Sequence, residues 1–158
     1  MNYKIMKANS KEMDLLQNLL QFYIYDFSEF IDIDVEENGE FSEYPLSKYF
    51  TEPDHFPYLL SVEGKYAGFV LVRFIQEERK SYFSIAEFFI MKKYRRAGIG
   101  TLVAKEIFQL HNGSWEVVQM SKNIPAQVFW RKVINDFTSG NYSETVLEGK
   151  RVTQEFSS

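Results

Sequence analysis

The chain has 158 residues, of which 45% are hydrophobic and 17% aromatic, so we expect one folded domain and not a disordered chain. The absence of cysteine excludes disulfides, thiolate metal sites and cysteine nucleophiles. A net charge of −4 argues against a general nucleic-acid binder, and no apolar run approaches the roughly 18 residues of a membrane span. The first residues lack the pattern of a signal peptide, so we expect a cytoplasmic protein.

Hydrophobic periodicity predicts strands and helices in alternation along the chain. Ser10 is the expected N-cap of the first helix, which ends near Tyr25. The acidic and aromatic stretch that follows contains one glycine and three prolines before residue 58, so it is predicted to be irregular or only partly helical. Strands are predicted over residues 3–8, 58–62, 66–75, 81–91, 115–120, 142–147 and 150–156, and helices over 10–25, over 101–111 and from about 123 onwards. This order predicts a mixed α/β domain built on one sheet.

Charge is distributed unevenly along the chain. Residues 26–54 contain ten acidic residues and one lysine, whereas residues 91–132 contain eight basic residues and two acidic ones. One part of the molecule therefore suits a cation and another suits an anion. The acidic residues show no regular calcium-loop spacing, so no metal is predicted.

A basic, glycine-containing turn joins the fourth strand to the second helix, over residues 92–100. Amides at the start of a helix point outward, and the helix dipole adds partial positive charge, which suits a phosphate. Gly98 and Gly100 keep side chains away from such an anion, and Arg95 and Arg96 can add charged hydrogen bonds. Val103 stands where a dinucleotide fingerprint needs glycine or alanine, and the turn lacks the lysine of a mononucleotide loop. A helix start with incidental glycines and surface arginines is the alternative explanation.

The segment Arg95-Arg96-Ala97-Gly98-Ile99-Gly100 resembles the Arg/Gln-x-x-Gly-x-Gly/Ala motif that binds the acetyl-CoA pyrophosphate in the GNAT superfamily of N-acetyltransferases. Asn123-x-x-Ala126-x-x-Phe129-Trp130 is similar to the second signature of that superfamily, Asn-x-x-Ala-x-x-hydrophobic-Tyr. The element order fits over nearly the whole chain. The resemblance implies a single-domain α/β (α+β) fold over residues 1–158. In this fold a mixed, mostly antiparallel sheet is flanked by helices, and its fourth and fifth strands splay apart.

The resemblance also implies where acetyl-CoA would bind as cosubstrate. Pantetheine would lie in the splay along the backbone of the fourth strand, and the pyrophosphate would lie on the amides of the glycine turn. The last helix would flank the thioester. The residues assigned to coenzyme A on this basis are Phe89, Ile90, Met91, Arg95, Arg96, Ala97, Gly98, Ile99, Gly100, Thr101, Asn123, Ala126, Phe129 and Trp130.

Acetyl transfer needs an unprotonated amine, and deprotonating a lysine-like amine at pH 7 costs roughly 4–5 kcal/mol. Glu87 is the best-placed carboxylate for a catalytic base, because it precedes the apolar end of the fourth strand. A strand glutamate that faces solvent or pairs with a lysine is the alternative. Many members of the superfamily protonate the leaving thiolate with a tyrosine, but Trp130 stands in that place. Tyr94, Tyr142 or water are then the candidates for the acid.

The acidic stretch over residues 26–54 falls where the superfamily shapes its acceptor pocket. It is either the mouth for a cationic amine, such as a polyamine, an aminoglycoside or a lysine side chain, or a solvated loop. The expected partner is a small-molecule amine, with no nucleic acid and no membrane, and a homodimer is left open. A catalytically silent acyl-CoA sensor or partner-binding module on the same fold is the second functional hypothesis, and the missing tyrosine favours it.

Overall fold

The computed structural model describes residues 1–158. Its strands are β1 (Tyr3–Lys7), β2 (His55–Val62), β3 (Lys65–Gln76), β4 (Ser81–Ile90), β5 (Ser114–Met120), β6 (Ser143–Leu147) and β7 (Arg151–Ser157). Its α-helices are α1 (Met13–Phe27), α2 (Lys48–Thr51), α3 (Ile99–Leu110) and α4 (Ile124–Thr138). No helix is both long and apolar enough to span a membrane.

The seven strands form one sheet in the order β1-β2-β3-β4-β5-β7-β6. β1 pairs antiparallel with β2, β7 pairs antiparallel with both β5 and β6, and β4 pairs parallel with β5. The register of β4 with β5 consists of Phe83↔Trp115 and Ser84↔Glu116, near the start of both strands. It does not continue to Ile85, which agrees with the predicted splay. The predicted mixed, mostly antiparallel sheet is therefore confirmed.

The chain divides into two compact units: residues 1–71 with 87–91, and residues 72–86 with 92–158. Because β3 and β4 contribute residues to both, neither unit is one continuous stretch of sequence. The assignment of residues 1–158 to a single domain stays a prediction.

The first unit holds α1, the acidic stretch and α2. A 3-10 turn over Ser10–Glu12 precedes α1, and its N-cap is Asn9 and not Ser10 as predicted, because a capping box with Glu12 satisfies the free amides. The Asn9 side chain accepts from the Lys11 amide, and Glu12 accepts from the Asn9 amide, each at 3.0 Å. α1 ends two residues beyond Tyr25 and buries Leu16, Leu19 and Leu20.

β2 begins at His55, three residues earlier than predicted, although it contains Pro57. Proline cannot donate to a strand ladder, but its carbonyl can accept. The Ala8 amide donates to the Pro57 carbonyl at 2.9 Å, so this proline continues the pairing of β2 with the start of the chain. The acidic stretch is irregular, as predicted, apart from the short helix α2.

In the second unit, alternate residues of β5 are buried, namely Trp115, Val117 and Gln119. An aromatic cluster centres on Phe108 of α3, whose ring lies 4.9 Å from the Trp115 ring and 4.9 Å from the Phe156 ring. α4 buries Gln127, Trp130, Val133 and Ile134. Helical spacing in the sequence predicts a buried stripe of Ala126, Phe129 and Val133, and of these only Val133 is buried, whereas Ala126 and Phe129 are half-buried.

Candidate active site

The glycine turn after β4 has the backbone geometry of an anion site. It contains a single 3-10 turn at Lys92–Tyr94, and both Arg96 (φ 67°) and Gly98 (φ 78°) adopt the left-handed conformation. Gly98 is the N-cap of α3, and no side chain caps this end of the helix. The first amides of α3 are therefore available to a ligand.

The residues of this turn differ in burial, with one buried side chain and a group of exposed ones. Ile99 is buried and fixes the start of α3 in the core, so only its backbone could reach a ligand. Arg95, Arg96, Ala97 and Gly98 are exposed. A Cβ built at Gly98 would meet nothing within 4 Å, so open space lies beside the free amides. The helix start predicted at Thr101 lies two residues earlier, at Ile99, which brings the turn and the helix N-terminus together.

The end of β4, in the first unit, is held close to β3. The Met91 amide donates to the Ala67 carbonyl at 2.8 Å. A Cβ added to Gly68 would lie 2.0 Å from the Phe89 carbonyl oxygen, so only glycine permits this approach. Phe89 and Ile90 are both buried, and as neighbours in a strand they lie on opposite faces of the sheet. Gly68 is not among the site residues predicted from the sequence.

Glu87 is half-buried on β4 and is hydrogen-bonded by tyrosines. The Tyr23 hydroxyl, from α1, donates to Oε1 of Glu87 at 3.2 Å, and the Tyr44 hydroxyl is a second hydrogen-bond partner. Burial raises the pKa of Glu87 to about 7, and the two tyrosine hydrogen bonds oppose that rise. This carboxyl group can therefore change its protonation state near neutral pH, unlike an exposed glutamate. It forms no pair with a lysine.

The two tyrosines are themselves fixed in an aromatic and polar cluster. The Tyr23 ring lies 5.7 Å from the Phe69 ring and 6.1 Å from the Phe89 ring, both edge-on. The Tyr44 hydroxyl also has a side-chain hydrogen bond with the buried Tyr49. Burial, with the Glu87 charge as a further cause, raises the pKa of both Tyr23 and Tyr44 well above the usual value. Both hydroxyls therefore stay protonated and able to donate.

The second predicted motif lies at the start of α4, in the second unit. The Asn123 side chain is the N-cap and accepts from the Ala126 amide at 3.1 Å. Trp130 is only 6% exposed, with its ring 6.2 Å from that of Phe108 and 4.9 Å from that of Phe129. Asn123 and Trp130 thus have structural partners of their own, and their contact with coenzyme A stays a prediction.

Both tyrosines suggested as acid from the sequence belong to the second unit. Tyr94 is in the turn, with the Lys93 ammonium 5.4 Å from its ring centre, and Tyr142 precedes β6. Tyr23 and Tyr44, which do partner Glu87, were missed. The helical spacing of Tyr23 with the leucines of α1 indicates a core position and gives no sign of a partner for Glu87. No sequence pattern links Tyr44 to Glu87, although a tyrosine beside a proline in an acidic stretch is a weak signal.

Comparison with known proteins gives a consistent result. A model of the acetyltransferase (GNAT) family matches residues 17–134. No curated protein matches the chain significantly in sequence. Among solved structures the chain is similar to a GNAT-family acetyltransferase from Streptococcus agalactiae, with 15% identity over 99% of this chain and 95% of that one, and a TM-score of 0.69.

Two further structures carry ligands. An Arabidopsis thaliana protein in complex with the bisubstrate analogue CoA-Ac-MVNAL has 12% identity over 100% of both chains and a TM-score of 0.64. An aminoglycoside acetyltransferase from an uncultured soil metagenomic sample, in complex with sisomicin, has 15% identity over 83% of this chain and 86% of that one, and a TM-score of 0.62. At these identities the likeness shows the fold.

Proposed function

The chain belongs to the acetyltransferase (GNAT) family, and from this premise we propose that it transfers an acetyl group from acetyl-CoA to a primary amine of a small, cationic acceptor. The observation that carries the proposal is Glu87. A half-buried carboxyl group, with two tyrosine hydroxyls hydrogen-bonded to it and a pKa raised by burial to about 7, lies three residues before the end of β4. The same strand continues into the glycine turn.

The residues of the turn fit the diphosphate of coenzyme A. The uncapped amides at the start of α3 would donate to phosphate oxygens, and the open space beside Gly98 admits the anion. The exposed guanidinium groups of Arg95 and Arg96 would add charged hydrogen bonds. When bound, the cosubstrate supplies an activated acetyl group as a thioester. The structural neighbour bound to a coenzyme A analogue supports this assignment.

The chemistry asks Glu87 to move one proton. An acceptor ammonium has no lone pair, and its pKa of about 10.4 makes loss of its proton at pH 7 cost roughly 4–5 kcal/mol. An ionised Glu87 with a pKa near 7 accepts that proton more readily than an exposed carboxylate, because fewer pH units separate the two groups. The freed amine then attacks the thioester carbonyl, the carbon–sulfur bond breaks, and the thiolate takes up a proton. Trp130 cannot supply this last proton, since an indole N–H is not an acid near neutral pH.

A cationic acceptor is supported by the acidic stretch, which has ten acidic residues and one lysine over residues 26–54. Asp32, Asp34, Glu36 and Glu37 are all exposed, so their charges can attract an approaching cation. Carboxylates near an ammonium also raise its pKa, which opposes its deprotonation. The acidic side chains should therefore hold a second, remote charge of the acceptor and not the reacting nitrogen.

The second candidate function is an acyl-CoA-binding module without turnover, and the buried tryptophan at the usual place of the tyrosine favours it. Thiol release from acetyl-CoA, measured over polyamines, aminoglycosides, amino acids and peptides, separates the two. Amine-dependent thiol release with formation of an acetylated amine is expected. Coenzyme A binding without release above the background hydrolysis for any amine would favour the silent module.

A further inference from the structure

Tyr44 lies in the irregular stretch between α1 and α2, where no strand ladder holds its backbone. Its position comes from one side chain of α1. The amide group of Gln17 accepts a hydrogen bond from the Tyr44 N–H at 3.2 Å and donates one to the Tyr44 carbonyl at 2.5 Å. Because the planar amide engages both backbone groups of one residue, it fixes the orientation of that residue as well as its distance.

The same arrangement occurs one helical turn later. Gln21 accepts from the Phe41 N–H at 2.9 Å and donates to the Phe41 carbonyl at 3.0 Å. Residues four apart lie on one face of a helix, so the two glutamines present their amides to the stretch side by side. The two pairs of hydrogen bonds have the same chemistry and differ only in which residue is bound, Tyr44 or Phe41.

Of the two residues whose backbone is hydrogen-bonded by a glutamine, only Tyr44 contacts Glu87, the candidate base. The Tyr44 hydroxyl is a hydrogen-bond partner of Glu87 and of Tyr49, whereas Tyr23, the other partner of Glu87, is fixed directly by α1. Downstream of Tyr44, the stretch is anchored independently by the buried side chains of Leu46 and Tyr49. Loss of the two Gln17 hydrogen bonds should therefore free Tyr44 locally without unfolding the unit.

We propose that Gln17 is a positioning residue, which holds the Tyr44 hydroxyl on the Glu87 carboxylate through its two hydrogen bonds to the Tyr44 backbone. The effect of Gln17 on catalysis rests on the proposed function, in which Glu87 is the base. The placement of Tyr44 on Glu87 does not rest on it, and this allows the two to be tested separately.

The test is a carboxyl-carbon NMR titration of Glu87 in the free protein, with its signal assigned by its loss in Glu87→Gln. The Tyr44 hydrogen bond lowers the pKa of Glu87, so Tyr44→Phe should raise that pKa by about one unit. Gln17→Met, which keeps the side-chain size, should raise it equally. The double variant Gln17→Met with Tyr44→Phe should raise it no further, because Gln17 acts through Tyr44.

Gln21→Met is the matched control, since it removes the same pair of hydrogen bonds from Phe41 and should leave the pKa of Glu87 unchanged. Gln17→Asn, whose shorter side chain cannot reach both backbone groups, is the second variant should Gln17→Met fail to fold. An unchanged pKa of Glu87 in either folded Gln17 variant, or additive shifts in the double variant, would overturn the proposal. A shift with Gln21→Met as large as that with Gln17→Met would do the same.

Activity is the second readout. A rise of one unit in the pKa of Glu87 lowers its ionised fraction at pH 7 about fivefold, so kcat should fall about fivefold in Gln17→Met while coenzyme A affinity stays unchanged. If the NMR shifts occur and kcat remains that of the unmodified protein, Gln17 positions Tyr44 as proposed but Glu87 is not the base. That result would contradict the proposed function and leave the placement intact.

Discussion

The half-buried carboxyl group of Glu87 should make the stability of the protein depend on pH in a way that one substitution removes. Burial raises the pKa of Glu87 from the usual 4.5 to about 7 in the folded state. The folded state holds the proton of Glu87 more tightly than the unfolded state does. The stabilisation from this proton is therefore fully present below pH 4.5 and is lost as the pH rises through 7. The difference between these two values corresponds to about 3 kcal/mol.

Glu87→Gln keeps the shape of the side chain and stays neutral at every pH. The free energy of unfolding of this variant, relative to the unmodified protein, should therefore increase by about 3 kcal/mol between about pH 4 and pH 8. Urea unfolding followed by circular dichroism at several pH values measures this difference. A difference that stays constant within about 0.5 kcal/mol over that range would refute the burial of an ionisable Glu87.

Three further perturbations test the other parts of the site. Gly98→Val should weaken coenzyme A binding roughly tenfold or more, as measured by calorimetry. The control Gly64→Val places a valine at a similar φ of 76° in open space and should leave that binding unchanged. Equal affinity for coenzyme A in the two folded variants would reject the turn as the phosphate site. Gly68→Ala should lower the melting temperature and the coenzyme A affinity together, because the added Cβ displaces the end of β4; an unchanged melting temperature would contradict that close approach. Raising the ionic strength from about 0.01 to 0.15 M should raise the KM of a polyamine more than that of a monoamine. This difference should largely vanish when four acidic residues are neutralised together. An equal response of both amines would show that the acidic stretch is a solvated loop. These four residues are Asp32, Asp34, Glu36 and Glu37.

The backbone geometry of the glycine turn could be predicted from local sequence, because the structure has Gly98 in the left-handed conformation at an uncapped helix start. The binding of coenzyme A by this turn stays a prediction. The mixed, mostly antiparallel sheet implied by the family resemblance is confirmed, and its parallel pair is β4 with β5. Errors at element ends came from competing local chemistry, as where Asn9 and not Ser10 forms the capping box.

The surroundings of Glu87 could not be predicted, because they depend on residues far apart in the chain. Tyr23 is 64 residues from Glu87, and its helical spacing is equally typical of a core position. The hydrogen bonds of Gln17 to Tyr44 join residues 27 apart and involve backbone groups, which carry no sequence signal. The importance of Gly68 likewise arises from how closely one strand approaches another.

We propose that Glu87 accepts the proton of an amine acetylated from acetyl-CoA. The most direct test of this proposal is kcat at saturating acetyl-CoA and amine for Glu87→Gln, with Glu78→Gln in the exposed turn before β4 as the matched control. We expect kcat to fall by roughly 10²–10⁴ in Glu87→Gln alone, with coenzyme A affinity unchanged. A kcat within about threefold of that of the unmodified protein would assign the proton to water or to another residue and contradict the account.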